Sequence, residues 1–166
     1  KYFQKINETR ISDQGWAGKH WSSILHCYSK AGCFKEYRDL FEALYLECTE
    51  ELLSRVNFRF ISAICRILGI ETKLSWSMDY ELVEGQTERL VGLCKSARAT
   101  HYVSGPAAKD YIDPGLFERE GIDLSYIDYS GYPEYTQLFG AFEHRVSIID
   151  LIFNEGSDAV KYMKSD

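Results

Sequence analysis

The hydrophobic period changes once along this chain, and that change limits the folds open to it. Up to Leu68 apolar residues recur every three to four positions, the mark of helices with one buried face. Trp16 to Tyr28 reads as a helix with Trp16, His20, Ile24 and Cys27 or Tyr28 on one side, ended by Gly32. Phe34 to Glu47 carries the stripe Phe34, Tyr37, Leu40, Phe41, Leu44 and Tyr45. Thr49 to Leu68 is the clearest helix. Thr49 is placed to cap it, Glu50 and Glu51 favour its positive end, and Gly69 stops it. Its inward face would hold Leu53, Val56, Phe60, Ile64 and Ile67 or Leu68, making it the central core helix, with Asn57 breaking the pattern.

After that helix short strands and short helices alternate. Thr72 to Ser77, Thr100 to Val103 and Leu124 to Tyr129 read as strands, and Lys5 to Ile11 as an edge strand. Glu88 to Ala97, Pro106 to Ile112 and Leu116 to Glu120 read as helices between them. Gly131 to His144 is an irregular loop; Val146 to Phe153 and Asp158 to Lys164 close the chain as helices. Strand, helix, strand, helix, strand is the order of a parallel sheet with crossover helices. The expected fold is α/β: a helical N-terminal half packed on a small parallel, Rossmann-like sheet, in a single domain over residues 1–166.

Charge and composition remove several classes of function. The net charge is −6 with no basic run, which argues against nucleic acid and anionic membrane surfaces as partners. Arg59 and Arg66 interrupt the longest apolar segment, so no membrane span is expected. No signal peptide is visible. The five scattered cysteines suit a reducing cytosol better than a disulfide scaffold. The opening Lys1-Tyr2-Phe3-Gln4 lacks Met and suggests a fragment of a longer protein.

Three segments carry candidate chemistry. Tyr102 to Tyr111 leaves a strand, turns at Ser104-Gly105 and starts a helix at Pro106, with Lys109 one turn on. Such a turn offers backbone N–H groups to an anion, here the diphosphate of a nucleotide sugar. An ordinary β–α turn accounts for the same residues about as well. In the loop, Tyr132, Tyr135 and Gln137 suit the rings and hydroxyls of a sugar, or pin the loop to the body. Ser147 to Gly156 begins with a helix-starting Ser147 and places Asp150 one turn in, as a base or as a complement to the helix dipole, while Asn154 and Gly156 mark the stop. Ser77, Ser104, Lys109, Tyr129 and Tyr135 would line one cleft at the strand ends. His20, His26, His101 and His144 have no metal-ligand spacing. The Trp16, Lys19, His20, Trp21 cluster is read as a helix anchored by its tryptophans, with a His20–Cys27 pair on one face as the reactive alternative.

These motifs, in this order, resemble the WbqC-like family. The resemblance runs from Ile6-Asn7-Glu8 and Lys19-His20-Trp21, through Leu68-Gly69-Ile70 and Arg89-Leu90, to Ser104-Gly105-Pro106-Ala107-Ala108 with Tyr111, Tyr132-Pro133 with Tyr135 and Gln137, and Ser147 to Gly156. The family's N-terminal block, of the form QPxYxPWxGYF, is missing, so the chain is expected to be the C-terminal portion of a longer protein. The resemblance implies a cytoplasmic role in bacterial surface-polysaccharide (O-antigen-type) biosynthesis. The leading expectation is a transferase that acylates or aminoacylates a nucleotide-linked amino sugar. A nucleotidyl-transfer-like enzyme and a non-catalytic sugar-nucleotide binding module are the alternatives. The expected partner is a nucleotide sugar or related small molecule; the sequence names no cofactor and no oligomeric state. Asp150 and His20 are the expected catalytic residues, and Ser77, Ser104, Gly105, Lys109, Tyr111, Tyr132, Tyr135 and Gln137 the expected substrate-binding ones.

Overall fold

The computed structural model describes residues 4–164. In chain order its α-helices are α1 (Trp16–Tyr28), α2 (Phe34–Leu46), α3 (Leu53–Ile67), α4 (Gln86–Ser96), α5 (Pro114–Arg119) and α6 (Ile148–Glu155). Its strands are β1 (His101–Ser104) and β2 (Asp123–Tyr126). The described residues gather into two compact units, one ending at Thr72 and resuming at Tyr132, the other Lys73–Gly131.

The first unit is helical. Its centre lies where α2 meets α6: Phe41, Ile152 and Phe153 are fully buried. The Phe153 ring meets Phe34 and Phe41 edge-on, each with centroids 4.9 Å apart, and Tyr28 at 5.4 Å. Trp21 stacks on Phe34 and Tyr45, and its indole N–H donates to Glu42 Oε1 at 2.9 Å, so this large ring is buried without losing its hydrogen bond. The expectation that α3 is the central core helix fails. Of its residues only Val56 is buried; Phe60, Ile64 and Ile67 are half-buried and Asn57 is exposed. Nor does Thr49 cap it. Residues 51–53 are engaged in pairing instead: Arg10 bridges Leu52 antiparallel, Ile11 N–H donates to Glu51 O at 2.8 Å, and Leu53 N–H donates to Thr9 O at 2.9 Å. The helix can start only where that pairing ends.

The same pairing corrects the edge strand expected over Lys5 to Ile11. Ile6–Glu8 is a 3₁₀ turn, and the bridge at Arg10 is what remains of the strand. At the other end α6 begins two residues later than expected, because Ser147 is its N-cap and accepts from Ile149 N–H. Gly156 stops it at φ +58°, where a Cβ would lie 2.8 Å from Cys33 Sγ; only glycine fits there. The expected last helix is a 3₁₀ run, Gly156–Tyr162.

The second unit is the α/β part. β1 and β2 pair in parallel, His101 opposite Asp123 and Ser104 opposite Tyr126, with α5 in the connection between them. The core is Val91 and Cys94 from α4, Ala108, Ile112, Phe117 and Ile122, with the Tyr102 ring stacked on Phe117 at 5.3 Å. Asp113 caps α5 by accepting from Gly115 N–H at 2.9 Å, and its own N–H donates to the buried Thr87 hydroxyl at 3.1 Å. The third expected strand, Thr72 to Ser77, does not form: among the described residues the sheet has no strand there, and the chain enters a 3₁₀ turn at Ser77–Asp79. Among the described residues the sheet is therefore a parallel pair, smaller than the Rossmann-like array expected.

Candidate functional site

A groove of about 540 Å³ opens on the first unit. Helix periodicity builds it. On α1, Trp16 and His20 are one turn apart and share a face; on α3, Val56, Asn57, Phe60 and Ile64 share another; Ser147 and Ile149 come from the start of α6. Tyr45 of α2, Leu53 of α3 and residues 10–13 complete the lining. The half-burial of the α3 stripe now has a cause: its apolar residues divide between the core and the groove floor.

His20 is exposed, and its ring is set by aromatic neighbours. It lies edge-on to Trp16 at 5.5 Å and to Tyr45 at 6.3 Å; Trp16 in turn lies 5.9 Å from Tyr45, and Tyr45 meets Phe60 at 4.7 Å. Burial pushes the Tyr45 hydroxyl above its ordinary range, so it stays a neutral phenol. The charges at the rim are paired. Arg10 meets Glu51, and Lys19 donates to Asp13 at 2.7 Å. That bond, with the Gly15 N–H, holds the Asp13 carboxyl below its ordinary pKa.

Asp150 is not among the residues that line this groove. It is 7% exposed, and its Oδ1 accepts from Tyr135 hydroxyl at 2.7 Å, Gln137 Nε2 at 3.1 Å and Asn154 Nδ2 at 3.3 Å. Tyr28 shares the cluster: burial first, then the Asp150 charge and a hydrogen bond to it, push its hydroxyl up to about 12. Burial and the same carboxylate raise Tyr135 further. Gln137 also folds the loop on itself, donating to Glu143 O at 3.0 Å and accepting from Glu143 N–H at 2.9 Å. Tyr135 and Gln137, expected to face a sugar, are thus engaged with Asp150. Tyr132 is half-buried with the Lys164 ammonium 5.0 Å over its ring.

The other expected positions, Ser77, Ser104, Gly105, Lys109 and Tyr111, lie in the second unit. There the segment after β1 is a five-residue 3₁₀ helix, Pro106–Asp110. It is too short to align the peptide dipoles that the anion reading needs, and Pro106 brings no N–H. Gly105 has φ −70°, open to any residue, and the Lys109 ammonium rests 5.1 Å over the Tyr126 ring. Tyr111 is exposed, and Ser77 begins a 3₁₀ turn and does not end a strand.

The sequence profile of the WbqC-like protein family matches residues 1–162. The chain belongs to that family. It is also 46% identical over 164 residues to the "Uncharacterized protein Rv1507c" of Mycobacterium tuberculosis (strain ATCC 25618 / H37Rv), an alignment that covers 99% of this chain and 71% of the relative. No solved structure matches. The match to the WbqC-like family takes in both the groove and the Asp150 cluster, since all their residues fall within 1–162. Four groove positions, Arg10, Tyr45, Asn57 and Phe60, were missed as site residues in the sequence, as were Tyr28 and Asn154 around Asp150. Asn57 had given a signal: a polar residue inside an apolar helical stripe marks either a buried hydrogen bond or, as here, a face left open.

Proposed function

We propose that this WbqC-like chain is part of a cytoplasmic transferase of bacterial surface-polysaccharide biosynthesis, one that acylates the amino group of a nucleotide-linked sugar at the groove of the first unit. The observation that carries this reading is His20: an exposed imidazole, fixed between Trp16 and Tyr45, at the lip of an apolar groove. Imidazole is the side chain best suited to take a proton from an attacking amine near neutral pH. Trp16 and Tyr45 give the flat apolar surfaces on which a sugar ring or an acyl chain packs, and Asn57 and Ser147 add hydrogen-bonding groups. Asp150 enters as a positioning residue. Its carboxylate holds Tyr135 and Gln137, and through them the loop that leads into Ser147 on the groove wall.

Full-length protein incubated with a nucleoside-diphosphate amino sugar and an acyl thioester, read by mass spectrometry, tests the reading. Thermal midpoint is measured with each substrate alone. Both substrates should raise the midpoint, since binding to the folded state stabilises it, and the sugar should gain the mass of the acyl group. A non-catalytic binding module, favoured by the burial of Asp150 away from the groove, would show the sugar-nucleotide shift with no product.

A further inference from the structure

We infer that the groove seats an uncharged aliphatic acyl group, and that neither the diphosphate of a nucleotide sugar nor a charged aminoacyl group is its occupant; this rests on the transferase reading above. Two independent observations lead there. The first is the lining: Val56, Phe60, Ile64 and Ile149 contribute carbon, together with the aromatic rings of Trp16 and Tyr45. The second is the charge at the rim. Arg10 is spent on Glu51 and Lys19 on Asp13. A diphosphate placed here would lose water and would have to take Arg10 or Lys19 from its carboxylate partner, and the ammonium of an aminoacyl group would likewise have to take Asp13 from Lys19. Asp150 is outside the lining and already accepts from Tyr135, Gln137 and Asn154. A volume of about 540 Å³ is ample for a short chain and its carbonyl.

The reaction balances without a further reagent. The donor is a thioester. The sugar amine nitrogen attacks the thioester carbonyl carbon, the C–N bond forms and the C–S bond breaks. The amine proton passes to His20 and then to the departing sulfur, giving an amide and a thiol.

Acetyl, butyryl and hexanoyl thioesters of N-acetylcysteamine are uncharged probes that isolate this groove. Calorimetric titration of the full-length protein should show affinity rising by up to about fourfold per added methylene until the groove is filled. That affinity should not change with salt, and pyrophosphate should not compete. Leu53→Trp and Asn57→Phe project bulk from exposed positions of α3 into the groove; each should weaken the butyryl probe at least about tenfold while the thermal midpoint stays within the parent's range. Thioesters that bind with no dependence on chain length, or only at low salt, would overturn the assignment. So would a nucleoside-diphosphate amino sugar that binds the parent, loses affinity in both variants and meets no thioester competition, an outcome that leaves the transferase reading standing. Failure of both substrate classes to bind overturns the transferase reading itself.

Discussion

Asp150 shows how a buried charge is made tolerable without a counter-ion. Burying a carboxylate is costly unless donors replace its water. Here the donors are neutral: two tyrosine hydroxyls and two amides, set by Tyr28, Tyr135, Gln137 and Asn154. The arrangement has a consequence at high pH. Tyr28 is held neutral up to about 12, above its ordinary value of 10.0, and Tyr135 is raised in the same direction. In the unfolded chain both ionise near the ordinary value. Their contribution to stability is therefore complete below pH 10 and is lost as pH rises through about 12. For Tyr28 the loss should be about 1 kcal/mol, after solvent screening of a half-buried group is allowed for. Urea melts from pH 8 to 12 check this. Tyr28→Phe should flatten the alkaline fall, and a variant that falls as steeply as the parent would break the link to Tyr28. The sequence singled out Asp150, Tyr135 and Gln137 but not their pairing, because Tyr28, Tyr135 and Gln137 stand 13 to 122 positions from Asp150 and only folding brings them to it.

At the scale of elements, periodicity was the most dependable guide. Trp16–Tyr28 has the bounds its stripe predicts, and α2 ends within a residue of its expected end. Failures came where a segment's partner decides its conformation. Lys5 to Ile11 and Thr72 to Ser77 have strand-like composition, but a strand needs a neighbour to hydrogen-bond, and neither finds more than a bridge. The α3 stripe was read correctly as apolar and wrongly as the centre of the core, since a stripe does not say how much of it faces side chains and how much a groove. The energetics follow the corrected assignment. Ile64→Ala, at a half-buried groove position, should cost about 1–2 kcal/mol, whereas Phe153→Ala, fully buried between Phe34 and Phe41, should cost about 3–5 kcal/mol. Denaturant melts of the two variants give the comparison, and equal losses would return α3 to the centre of the core.

For the molecule as a whole, the α/β class and the family were legible in the sequence, and both stand. The groove was less legible. Of the expected site residues His20 lines it, Ser147 was read only as a helix start, and the Ser104-Gly105 turn drew attention through its glycine and has ordinary backbone angles over a 3₁₀ turn. Glycine at a turn signals freedom, and freedom is not always used. What the sequence could not supply was the pairing of Arg10 with Glu51, 41 positions apart, which gives the groove its neutral rim. Among the described residues no helix is long and apolar enough to cross a membrane. The proposed reaction turns on one side chain. Acyl transfer from a thioester to a nucleoside-diphosphate amino sugar, followed in full-length parent, His20→Ala and His20→Gln, measures it directly. Removing a general base should lower kcat by about 10²–10⁴-fold with KM for both substrates nearly unchanged. A His20→Ala enzyme with the parent's kcat would contradict the account.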